Sequence, residues 1–253
     1  MTVDCPNSWD KKYQKCIFIS QVRTPRVQPS QPPCCIQPQE TPFMKITVIG
    51  AGNMGAAFVK QLTRAGHQVS VTARDAAKAA QVAAAHAGAR AVPVAGAADG
   101  ADAVVLATGY GDAVDALRSV GDVTGTVVVD ITNPLTVDYM GLTIGHDTSA
   151  AEEIAKAVPG AEVVKAFNTV FAQVLAEGAD FGDGRRVDVF VAGDSERAKH
   201  TARVIAESIG FGVVDAGPLK NARYLEPVAG LNIYLGYGAG LGTGIAPVWI
   251  RKA

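Results

Sequence analysis

Gly50, Gly52 and Gly55 stand at G-x-G-x-x-G spacing within "TVIGAGNMG". That spacing can cradle a pyrophosphate when a strand runs into it and a helix leaves it. Both flanks fit. "KITVIG" (45–50) is a β-branched run of the kind buried on both faces of a sheet, and residues 53–66 read as a helix with Gly66 as its C-cap signal. Gly50 would allow the tight turn, Gly52 would let backbone approach the phosphates, and Gly55 would let the helix pack closely on the strand. The helix N-terminus then faces the negative charge. A glycine turn without a ligand is the simpler alternative, and the strand–turn–helix context argues against it.

The end of the second strand decides which dinucleotide fits. A carboxylate there selects NAD through the ribose hydroxyls, and an Arg selects NADP through its 2′-phosphate. The sequence reads "TARDAAK", with Thr72, Arg74 and, about one turn into the next helix, Lys78. Arg74 can fork onto a phosphate and Lys78 adds a point charge, so NADP(H) is expected. Asp75 argues the other way, but at a helix start a carboxylate is commonly a dipole partner. Further on, "ITNPL" places Asn133 at a strand's carboxyl end, where it either reaches the nicotinamide or serves as a turn amide. Tyr110 in "ATGYG" either stacks there or covers the sheet edge.

These residues need a scaffold, and the sequence supplies one. After "KITVIG" come strands at "QVSVTA" (68–73), "RAVPV", "DAVVLA" (102–107), "GTVVVDI" (125–131), "EVVKAF" (162–167), "VDVFVAG" (187–193) and "FGVVDAG" (211–217). An Ala-rich helix is expected over 75–88. Another begins at a capping box, "SAAE", with Ser149 as N-cap and Glu152 reaching back. Strands alternating with helices imply an α/β fold, a Rossmann-type doubly wound and mostly parallel sheet. Residues 44–216 are read as the NADP-binding domain. Residues 217–253 are read as a small cap of one helix and a Gly-rich loop that completes a second-cofactor pocket and a dimer contact. Within that helix Val228, Leu231 and Leu235 form an apolar stripe, interrupted by Asn232, that suits a core or dimer face. The uncharged run 227–250 is long enough to cross a bilayer, but six Gly, an Asn and two Pro make it a poor span.

The chain has 253 residues, 48% hydrophobic, and a formal charge of −1, which gives no electrostatic case for nucleic acid or an anionic membrane surface. Residues 1–43 contain no Gly or Ala but hold all four Cys (Cys5, Cys16, Cys34, Cys35) and seven Pro. This segment reads as a disordered or added tail, with Met44 opening the natural domain. Its cysteines lack paired C-x-x-C knuckles, so no metal site is expected. A cysteine-free remainder suits a reducing cytoplasm.

"MKITVIGAGNMG", the Arg after the second strand, "VVKAFNTV" and "DAGPLKNARYLEPVAGLNIYLGYG" together resemble the NADPH-dependent coenzyme F-420 reductase family (F-420:NADP oxidoreductases). The same module forms the oxidoreductase domain of the six-transmembrane metalloreductases. The resemblance spans residues 44 to 245. It implies NADP(H) binding, hydride exchange with coenzyme F-420 or a flavin (FMN or FAD), and a homodimer. By position it assigns Gly52, Asn53 and Met54 to the pyrophosphate turn, and Arg74 and Lys78 to the 2′-phosphate. It sets Ala107, Thr108 and Asn133 beside the nicotinamide, and Asn168, Thr169 and Val170 against the second ring. The reductases carry His at the position of Asn168 and Pro at that of Phe171. The F-N-T version here is closer to the flavin-linked metalloreductases. Ala73 replaces a Ser that would help hold the 2′-phosphate.

Hydride transfer between stacked rings needs positioning rather than a side-chain acid or base. No catalytic side chain is therefore expected, and the four histidines (His67, His86, His146, His200) read as structural or solvated. Two other readings stand beside the hydride-transferring enzyme. One is a non-catalytic NADP(H)-binding or sensing domain. The other is a pyrroline-carboxylate reductase or β-hydroxyacid dehydrogenase relative, whose large helical substrate domain has no counterpart after residue 216.

Overall fold

The structure, a computed structural model, describes residues 43–182, 184–249 and 252, and the described residues form one compact unit. The expectations for the N-terminal tail and its cysteines fall outside the described residues. Eight strands make a single sheet: β1 (Lys45–Ile49), β2 (Gln68–Thr72), β3 (Ala89–Ala91), β4 (Ala103–Leu106), β5 (Val127–Asp130), β6 (Glu162–Lys165), β7 (Asp188–Gly193) and β8 (Gly212–Gly217). Their spatial order is β3-β2-β1-β4-β5-β6-β7-β8. Neighbouring strands are parallel except for β6–β7, which are antiparallel.

The helix between those strands, α5 (Ala172–Glu177), has six residues, and the connection enters β7 from the side where β6 ends. The other helices are α1 (Asn53–Arg64), α2 (Ala76–Ala84), α3 (Tyr110–Ser119), α4 (Ala150–Ala157), α6 (Glu196–Ser208) and α7 (Ala222–Ile233). α2 is shorter than the expected 75–88, so His86 lies beyond it rather than on it. The third strand is likewise confined to three residues.

Alternation along the strands sorts the core into two faces. Ile46, Val48, Ala103, Val105, Val127, Val129 and Val164 face α1, α5 and α6. Val104, Leu106, Val128 and Val163 face α3 and α4. The second face receives Asp130 and Lys165 by the same parity, and both are fully buried.

α7 departs from the pattern read in the sequence. Its buried residues are Ala222, Leu225, Glu226, Ala229 and Asn232, whereas Leu231 is 58% exposed. The stripe of Val228, Leu231 and Leu235 thus does not enter the core. Polar links made by Glu226 and Asn232 turn the helix the other way. α7 runs into a π-turn at Tyr234–Gly238. No helix among the described residues is long and apolar enough to cross a membrane.

Candidate cofactor site

The glycine turn is built by close approach. Gly50 has φ +118°, and a Cβ there would lie 2.2 Å from the Ala107 carbonyl oxygen. A Cβ on Gly55 would lie 1.9 Å from the Gly50 carbonyl oxygen. Gly52 differs: nothing lies within 4 Å of its Cβ position, so its backbone faces open space at the N-cap of α1. No side chain caps that helix, and Asn53 and Met54 follow in its first turn. The turn therefore offers bare backbone donors at the positive end of the helix dipole.

At the end of β2, Arg74 is exposed and lies 3.4 Å from Asp112 Oδ1 in the first turn of α3. Lys78 Nζ sits 3.9 Å from Asp75 Oδ2, also exposed. Asp75 is the N-cap of α2, its Oδ1 accepting from the Ala77 and Lys78 amides. Its carboxylate is thereby committed to the helix, which leaves Arg74 and Lys78 as the cations at this corner. Exposed pairs of this kind are worth little, about 0.2–1 kcal/mol, and yield readily to a dianion.

The other half of the carboxyl edge is held from within. Asn133 Nδ2 donates to the Asn168 carbonyl (2.9 Å), and Asn168 Nδ2 donates to Asn133 Oδ1 (3.0 Å) and to the Leu225 carbonyl (3.0 Å). Asn133, expected beside the nicotinamide, is thus paired to Asn168, and the two strand-end loops are bound to each other and to α7. Asn232 Nδ2 adds a bond to the Thr169 carbonyl. Just before this pair, Phe167 is fully buried at φ +59°, a left-handed conformation rare for a bulky residue, between Phe58 and Phe211. That kink turns the chain out of β6. Val170 is buried, and Phe171 meets Tyr237 edge-on at 5.8 Å. The loop glycine Gly236 lies against Phe171, where its Cβ would come within 2.7 Å of Cζ.

The sequence reading did not single out three charged residues beneath these loops. Lys165 Nζ lies 2.7 Å from Asp130 Oδ2 and 2.9 Å from Glu226 Oε1, and donates to the Thr132 carbonyl at 2.7 Å. Asp130 Oδ1 accepts from the Thr132 amide. Glu226 accepts from the Ala150 and Ala151 amides at the start of α4. Ser149 takes its N-cap role, but Glu152 bonds the Ser149 hydroxyl and pairs with Arg223 of α7. The Arg223 hydrogen bond holds the Glu152 carboxyl below the usual range. A signal was present: "VVVD" and "EVVK" each end an apolar run on a charge.

Tyr110 opens α3 at this edge. Burial raises its phenol above the ordinary value, with Glu153, Glu226 and Asp130 adding to the effect. His67 is a structural residue: its Nδ1 accepts from the Met44 amide, and its Nε2 lies 2.9 Å from Ser208 Oγ.

Apart from Asp130 Oδ2, which faces Lys165, five buried side-chain oxygens among the described residues have no hydrogen bond. They are Thr72 Oγ1, Thr108 Oγ1, Thr132 Oγ1, Asn168 Oδ1 and Thr169 Oγ1. All five lie at or just past the carboxyl ends of β2, β4, β5 and β6. A buried polar atom without a partner costs about 1–3 kcal/mol, so this clustering marks the edge where open α/β sheets bind ligands.

Fold and edge together define a Rossmann-type α/β domain of the dinucleotide-binding oxidoreductase class. The family described as "NADP oxidoreductase coenzyme F420-dependent" matches residues 45–134. An F420-dependent NADP reductase of Methanothermobacter thermautotrophicus is 34% identical over 209 residues, covering 76% of this chain and 89% of that protein. The rat metalloreductase STEAP3 is 30% identical over 192 residues, and the match takes in 76% of this chain but 37% of that protein's length. A crystal structure of a proposed F420-dependent NADP reductase from Arthrobacter sp. FB24 superposes with a TM-score of 0.73 at 30% identity, covering 82% of this chain and 100% of that one. The chain belongs to the F420-dependent NADP oxidoreductase family.

Proposed function

We propose that this protein transfers a hydride between NADP(H) and a deazaflavin of the coenzyme F-420 type. The observation that carries the reading is the row of unbonded buried oxygens along the carboxyl edge, which runs from Thr72 at the end of β2 to Asn168 and Thr169 after β6. Gly50, Gly52, Asn53, Met54 and Gly55 would hold the pyrophosphate, and Arg74 and Lys78 the 2′-phosphate. Thr72 Oγ1 would take the adenosine ribose, and Ala107 and Thr108 would border the nicotinamide. Asn168, Thr169 and Val170 would form the wall against the acceptor ring. When bound, the two rings supply the hydride donor and acceptor; the protein stacks them and excludes water.

The near full-length match to a reductase of that activity supports F-420 as the acceptor. A flavin, FMN or FAD, is the second reading, favoured by the resemblance of the F-N-T segment with Asn168, and of Phe171 two residues beyond it, to the metalloreductase version. The exposed aromatic and aliphatic residues of α7 and its π-turn, Tyr224, Leu231 and Tyr234, support a homodimer. The cysteine-free span from Met44 supports a cytoplasmic setting.

Anaerobic NADPH oxidation by the full chain with F-420, FMN or FAD, and NADH as control, tests the proposal. Turnover with F-420 and NADPH is the expected result. Turnover with flavins alone moves the protein to the second reading. NADPH binding without turnover leaves the non-catalytic sensing reading in place.

A further inference from the structure

The Lys165 cluster is the least expected feature of the molecule. Three ionisable side chains sit together at 0%, 0% and 2% side-chain exposure, whereas ion pairs elsewhere among the described residues, such as Arg74–Asp112 and Arg197–Glu162, lie at or near the surface. Replacing such a cluster with uncharged groups of similar shape is often neutral or stabilising, so stability is a poor reason for its presence. Its connections point to another role.

Lys165 ends β6, and its three contacts reach β5 (Asp130), the loop after β5 (Thr132) and α7 (Glu226). Asp130 fixes the Thr132 amide, one residue before Asn133. Glu226 extends the chain of contacts to the first amides of α4. One residue away, Leu225 accepts from Asn168. Every wall of the acceptor side is thus tied to one ammonium group, and none of these contacts touches the glycine turn or Arg74.

We infer that Lys165, Asp130 and Glu226 are positioning residues that set the loops 131–135 and 166–171 and α7 as one unit for the acceptor ring, leaving NADP(H) binding to the other half of the sheet. This rests on the proposed hydride transfer. The cluster is shielded from solvent and acts through Asn133 and Asn168.

The test is the neutral triple variant Lys165→Met, Asp130→Asn, Glu226→Gln in the full chain, with Glu226→Gln alone as a milder version. The NADPH Kd should stay within about twofold. With F-420, kcat should fall about tenfold or more, and the acceptor KM should rise. Amide exchange should quicken about tenfold in α7 and the two loops, with α1 unchanged. A folded variant with unchanged turnover, acceptor KM and α7 exchange overturns the inference. So does a neutral variant that fails to fold while Glu226→Gln behaves as wild type, since the cluster would then serve stability. If the unmodified chain turns over with neither F-420 nor a flavin, the functional proposal fails instead. The exchange comparison, which needs no acceptor, still decides this one.

Discussion

The two halves of the carboxyl edge are made in opposite ways. Around β1 and β2 the site is backbone: two glycines under tight contact and a third facing open space, an uncapped helix start, and exposed cations held only by weak surface pairs. Around β5, β6 and α7 it is side chain: reciprocal amides and an internally bonded charge cluster, beside which Thr132 Oγ1, Asn168 Oδ1 and Thr169 Oγ1 are left without partners. A phosphate-rich ligand brings its own charge, so that half needs only donors and room. In the proposed reading the second half receives a flat ring, and walls fixed beforehand lose less entropy on binding it.

This contrast can be broken from either side. The largest effect is expected at Gly50→Ala. The added Cβ would press on the Ala107 carbonyl in a left-handed backbone, destabilising the chain by about 3 kcal/mol or more. Thermal unfolding and NADPH titration should both register it, and a variant binding NADPH normally would contradict the glycine-turn geometry.

Arg74→Ala comes next. Loss of a charge-assisted fork, worth about 1.5–3 kcal/mol, should weaken NADPH binding some 10–100-fold and leave NADH unaffected. Equal losses for both nucleotides would remove Arg74 from the 2′-phosphate. Asn168→Ala should lower acceptor turnover about tenfold with the NADPH Kd little changed, because it strands the Asn133 amide and the Leu225 carbonyl. A change confined to NADPH affinity would invert the division of labour argued above.

The smallest effect concerns His67, outside both halves. Burial lowers its pKa below the ordinary 6.5. Its neutral form therefore contributes stability above that value, and the contribution is lost as pH falls through the lowered one. Between about pH 7 and about pH 5, wild type should lose a few degrees more in Tm than His67→Gln. Equal losses would mean the imidazole is not held neutral.

Legibility in the sequence followed the same division. The glycine turn, Arg74 and the alternation of strands and helices were readable because each depends on neighbours within a few residues. The reversal at β7 was not, since it depends on the path of the whole connection 166–187 and not on the residues of the two strands. The pairing of Asn133 with Asn168 was not readable either, because the two lie 35 residues apart. Lys165, Asp130 and Glu226 escaped notice because sequence gives each a face but not a companion. The stripe on α7 was read as a core or dimer face, and two polar residues with distant partners turn the helix so that Leu231 stays outside the core.

The bond from Glu226 to the Ala150 amide closes a loop of 76 residues. During synthesis the strand pairs and the glycine turn can form as they emerge, but this closure waits for nearly the whole chain. Until then Lys165 and Asp130 are brought together without their third member. A chain interrupted before residue 226 would therefore lack the contacts that tie Lys165 to α7 and α4, and the proposed acceptor side would be the part left unfinished.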